Sequence, residues 1–155
     1  MKSLKVLSVL FFILGSFLTF AQEPDPVTDE ELTKYAVVMD SVEHMSSALM
    51  ETITELVKNN DQITAARYND IYKIIGDESK LAEQNATPEE IAAVKEILAV
   101  KDEGTSKIQE TFKTLATEYI GAATYNKIKK ALGSDPEIKS RYEAILADIN
   151  KEDTE

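Results

Sequence analysis

Cysteine is missing from the 155 residues, and His44 is the one histidine. Without thiols there is no disulfide framework, no thiolate nucleophile and no cysteine-based zinc site. A single imidazole leaves almost no material for a zinc centre or a nucleophilic triad. Positive charge is scarce too: 17 Lys and Arg face 28 Asp and Glu, net −11 at pH 7. No basic patch suited to nucleic acid is present, and no glycine-rich loop that would cradle a phosphate. Long apolar stretches are limited to one, Val6 to Phe20, 15 residues.

That run follows Lys2 and Lys5 and ends at Thr19-Phe20-Ala21, with small residues at the two positions a signal peptidase reads. The pattern predicts a secretory signal peptide over 1–21, with Gln22 as the new N-terminus. A retained anchor is the alternative, although the run is short for a bilayer span of ~20 residues. No cysteine follows the run, which excludes a lipoprotein anchor. The expected location is therefore periplasmic or secreted, with no membrane span after signal removal. Cleavage leaves 15 basic against 28 acidic side chains, net −13. Such a charge keeps a protein soluble and disfavours nucleic acid and anionic membrane surfaces.

The remaining length fits one domain. Residues 22–27, Gln-Glu-Pro-Asp-Pro-Val, read as an extended leader, because two prolines oppose helix there. Thr28 and Glu31 make a capping box, with Val27 and Leu32 at the staple positions. Apolar residues then recur in steps of three and four: Leu32, Tyr35, Met39, Val42, Leu49, Ile53 and Leu56, with Ser46 as the one polar member. This is the seam of a long helix packed on other helices. Asn59-Asn60-Asp61 ends it. A second helix is expected over 63–75, with Gly76 as a left-handed cap, and about two more turns over 78–84.

Thr87-Pro88-Glu89-Glu90-Ile91 restarts the pattern, with Thr87 as cap, Pro88 at the first helical position and Glu90 closing the box. At an offset of 59 residues Thr28/Thr87, Glu31/Glu90, Glu51/Glu110, Thr52/Thr111 and Leu56/Leu115 are identical. At an offset of 57 so are Ala65/Ala122, Ala66/Ala123, Tyr68/Tyr125, Asn69/Asn126, Ile71/Ile128, Lys73/Lys130 and Gly76/Gly133. The expected fold is all-α: a helical bundle built from a tandem repeat of long-helix/short-helix units, 28–86 and 87–146, within a domain over 28–150. The doubtful segment is Asp102-Glu103-Gly104-Thr105, where a continuous or kinked helix competes with a break. A last helix from Pro136 to about Asn150 and a frayed tail over 151–155 complete the chain.

No catalytic, cofactor-binding or metal-binding set is expected. The acidic pairs Glu30/Glu31 and Glu89/Glu90 sit in first turns, where capping explains them. Tyr68 and Tyr125 read as core. Four residues form the candidate interaction surface. Met45 and Met50 flank the seam and suit adaptable contacts. Asn69 and Asn126 have no architectural role legible in the pattern.

The motifs Thr28-Asp29-Glu30-Glu31-Leu32-Thr33-Lys34-Tyr35-Ala36, Tyr125-Asn126-Lys127-Ile128 and Asp135-Pro136-Glu137-Ile138 carry a resemblance. Over about residues 28–146 the chain resembles the domain-of-unknown-function 4168 family of exported bacterial proteins. That resemblance implies an exported, all-helical protein and brings no activity, cofactor or catalytic residue. Thr87-Pro88-Glu89-Glu90-Ile91 also looks like the helix start of periplasmic Spy-type chaperones, with Glu90 in place of their usual glutamine. The expected function is a non-enzymatic module that binds an unknown protein or cell-envelope component through a helix face. The alternative is a periplasmic chaperone-like holdase for unfolded clients. Partner identity and oligomeric state are not encoded in any motif found.

Overall fold

A computed structural model describes residues 25–152. The expected signal peptide, residues 1–21, lies outside the described residues. Among the described residues the fold is all-α, with no strand.

Helix α1 spans Asp29–Lys58. Thr28 Oγ1 accepts from the Glu31 amide at 3.2 Å, and Glu31 Oε2 accepts from the Thr28 amide at 2.9 Å. Val27 and Leu32 are both buried at the staple. Two short helices follow, α2 (Ala65–Tyr72) and α3 (Glu78–Glu83). Helix α4 spans Pro88–Thr114 and opens on the same box, closed by Thr87 and Glu90. It runs unbroken through Gly104. A π turn, Leu115–Gly121, then leads into α5 (Ala122–Ser134), and α6 spans Pro136–Glu152. The last helix thus extends into the expected tail as far as Glu152.

The spine is the antiparallel pair α1 and α4. Ile53 and Val57 share a core with Ala93, Val94 and Ile97, while Tyr35 and Met39 share one with Phe112 and Leu115. Where the pair crosses, Gly104 meets Leu49: a Cβ on Gly104 would lie 2.5 Å from Leu49 Cδ1. Each end of the spine carries its own core. The first gathers Ile63, Tyr68, Ile71 and Leu81 from the α2–α3 segment. The second gathers Val27, Ile120, Ile128 and Ile138 beside Leu32 and Val38. It also holds a ring cluster, in which Tyr35 lies 5.4 Å from Tyr125 and 5.7 Å from Tyr142, and Phe112 lies 5.7 Å from Tyr125. Burial there pushes the Tyr35 phenol up to about 12.

Three expectations are corrected. The seam does not end on Leu56, which is 38% exposed; Val57 is buried in its place. A straight helix drifts ~20° per heptad from a 3.5-residue repeat, so three heptads carry the buried stripe onto the next residue. The second helix is shorter than 63–75, and Gly76 is not a left-handed cap. After Tyr72 the chain closes successive three-residue turns, Ile74 N to Ile71 O at 3.0 Å and Asp77 N to Ile74 O at 2.8 Å, which satisfy the helix-end carbonyls. Gly133 likewise lies inside α5 and stops nothing. The left-handed position after α3 belongs to Asn85, φ 50°, with Ala86 N donating to Leu81 O at 2.9 Å. Among the described residues the one glycine with positive φ is Gly121, at 91°, where the π turn ends and α5 begins.

Candidate functional site

A recess with an apolar floor lies between α5, α6 and the leader. It encloses about 640 Å³ as an open groove. Residues Ala123, Asn126, Lys130 and Ser134 form the α5 wall, spaced by helical turns. Glu137, Ile138 and Arg141 form the α6 wall, and Asp25 to Val27 cross one side. Small side chains on α5 make the room, and Val27 and Ile138 are shared with the second core.

Two cations fasten the leader to the helices. Lys127 Nζ donates to Glu31 Oε1 at 2.6 Å and Oε2 at 2.7 Å, and reaches the Pro26 carbonyl at 3.5 Å. Arg141 Nε donates to Asp29 Oδ1 at 3.0 Å, and its Nη2 donates to the Val27 carbonyl at 3.3 Å. The Lys127 ammonium, followed by the Thr28 amide, holds the Glu31 carboxyl below its ordinary 4.5. Glu31 therefore does two jobs: it closes the capping box and anchors α5. The other end of the spine uses the same device. Glu90 closes its own box and accepts from Arg67 Nε at 2.8 Å and Nη2 at 3.0 Å. Arg67, more than the Thr87 amide, keeps the Glu90 carboxyl below 4.5.

The four candidate surface residues do not converge. Met45 is half-buried on α1, and Met50 is 62% exposed five residues on. Asn69 is exposed on α2. Asn126 alone lines the groove, beside Lys130 one turn further along α5. The repeated stretch already contained both residues, since Lys130 matches Lys73. Asp25 and Glu137 carry no periodic signal, and only the packing of the leader and α6 brings them to the groove. Asn69 and Lys73 have no equivalent walls, because α3 has six residues and barely touches α2, whereas α5 and α6 pack side by side. A second depression, about 680 Å³, runs beside the end of α1 and carries Glu51, Glu55 and Leu56.

His44 is an exposed helix residue whose Nδ1 lies 3.1 Å from Asp40 Oδ2. Among the described residues no three His, Asp or Glu side chains are grouped to hold a metal ion. No described helix is long and apolar enough to cross a membrane. No protein-family model matches the chain, and comparison with curated proteins and with solved structures gave no match either.

Proposed function

We propose that the chain is an exported helical module that binds a protein or cell-envelope component through a helix face and performs no chemistry of its own. The observation that carries this reading is the α5–α6 groove: a preformed recess with an apolar floor and polar and charged walls, which offers a ligand both burial and orienting contacts. Export rests on the apolar run over 6–20 and its flanks. The resemblance to an exported bacterial family of unknown role is consistent with it.

The same proposal includes the tandem repeat. Burial supports it beyond residue identity. Val38 and Ile97 are 1% and 2% exposed at an offset of 59, and Ile71 and Ile128 are both 0% at an offset of 57. The change of offset coincides with the join: residues 59–64 separate α1 from α2, whereas α4 runs into α5 through the π turn. Each long helix is also anchored by a cation from the opposite repeat, Lys127 on Glu31 and Arg67 on Glu90.

A photo-crosslinking residue at position 126, compared with one at 69, tests the reading in cell-envelope preparations. The expected result is a discrete adduct from 126 and none from 69. Equal labelling from both positions, or from neither, overturns it. Many weak adducts with unfolded chains would favour the holdase instead.

A further inference from the structure

Resting on the reading of the α5–α6 groove as the binding face, we propose that its ligand is a short zwitterionic peptide with small aliphatic side chains. Six charged residues line the groove, and three are already committed. Lys127 is held by Glu31, and Arg141 by Asp29. Asp135 caps α6, accepting from the Glu137 amide at 2.9 Å and the Ile138 amide at 3.4 Å. Lys130 on α5, Glu137 on α6 and Asp25 on the leader are left, one charge on each of three walls.

That arrangement discriminates among ligands. A simple anion would gain Lys130 and meet two carboxylates. A simple cation would meet the two carboxylates and be repelled by Lys130. A molecule with an ammonium at one end and a carboxylate at the other matches both signs. Asn126 stands one turn from Lys130, and its amide both donates and accepts, as a carboxylate beside a peptide N–H requires. Val27, Ala131 and Ile138 offer an apolar floor of aliphatic groups, which suits methyl-bearing side chains.

The leader supplies an internal precedent. Pro26 and Val27, outside any helix, already lie against these helices, with their carbonyls held by Lys127 and Arg141. Backbone recognition by long cationic side chains is thus built into the groove. The repeat supplies an internal control. Asn69 and Lys73 have the same spacing and lack the facing walls, so the first half of the chain is expected not to bind.

The experiment is a calorimetric and NMR titration of the intact chain with Ala-Val-Ala in four forms: free, N-acetylated, C-amidated and capped at both ends. Free peptide is expected to saturate one site, with shifts at Asn126 and Lys130. Each cap removes a charge-assisted contact and should weaken binding about tenfold. Lys130→Ala should weaken the free peptide similarly and abolish its advantage over the C-amide, while Lys73→Ala leaves binding unchanged. Equal affinity for free and doubly capped peptide overturns the proposal, as does an equal effect of Lys73→Ala and Lys130→Ala. If position 126 crosslinks a partner but no tripeptide binds at millimolar concentration, the ligand class is wrong and the groove stands as a binding face. If neither occurs, both readings fall.

Discussion

Replacing Gly104 with alanine tests how the two long helices meet. In an isolated helix the change stabilises by ~0.8–1 kcal/mol, because alanine loses less backbone entropy. Here the new Cβ would lie 2.5 Å from Leu49 Cδ1, 2.9 Å from Cδ2 and 3.2 Å from Cγ, on the facing helix. Contacts under 3 Å must be relieved by turning Leu49 out of its rotamer or by separating α1 from α4. Overpacking of this kind costs ~1–3 kcal/mol. The two effects oppose each other, and because the atoms met are the end of a half-buried side chain that can turn, the steric cost falls at the low end and the two should nearly cancel. Leu49→Ala removes the obstructing atoms. In that background Gly104→Ala should therefore stabilise by about its full helix-propensity gain, near 1 kcal/mol. The assay is urea unfolding of the four proteins of the cycle, followed by far-ultraviolet circular dichroism. A coupling of about 1 kcal/mol between the sites is expected. If Gly104→Ala stabilises by the same amount with and without Leu49, the helices do not touch there and the reasoning fails.

Other glycines should separate by backbone conformation in the same assay. Gly121→Ala, at φ 91°, should destabilise by ~1–2 kcal/mol, whereas Gly133→Ala, helical and with open space at its Cβ, should stabilise by ~0.5–1 kcal/mol. Ile71→Ala and Ile128→Ala each remove a fully buried side chain and should cost ~2–5 kcal/mol; Met50→Ala, 62% exposed, should stay within ~0.5 kcal/mol of the parent. Folding lowers the Glu31 and Glu90 carboxyls below 4.5, so their contribution is complete above that pH and is lost as pH falls through the lower folded values. The double variant Glu31→Gln, Glu90→Gln should therefore be less stable at pH 7 and lose less stability than the parent between about pH 4.5 and pH 2, measured by urea unfolding at several pH values. A parallel pH dependence of the two proteins would refute the pairing.

Features with local causes were legible in the chain. Both capping boxes need residues only three positions apart, so Thr28 with Glu31 and Thr87 with Glu90 announced the starts of α1 and α4. The inward face of the short helices was equally readable, since Tyr68, Ile71 and Ile128 follow helical spacing. Helix ends were less so. Gly76 and Gly133 have a sequence that permits a left-handed stop, but a glycine permits many conformations and selects none. The residues that took those roles, Asn85 and Gly121, were chosen by the turns they close.

The candidate groove lay further from view. Asn126 stood out because the same residues stand in two stretches of the sequence, and Lys130 was in the same stretch, yet nothing local distinguishes that stretch from the one with Asn69 and Lys73. The difference is a wall, supplied by α6 and by a leader roughly a hundred positions earlier in the chain, as the Lys127–Pro26 and Arg141–Val27 contacts record. The sequence by itself determined the helical periodicity, the caps, the acidic balance and the absence of thiol chemistry, because each depends on composition or on neighbours within two turns. Only the tertiary structure decided which residue ends the seam, how closely Gly104 lets the helices approach and which charges meet. Those outcomes depend on accumulated helix rotation and on pairings 23 to 114 residues apart, such as Arg67 with Glu90 and Arg141 with the Val27 carbonyl, which no local pattern encodes.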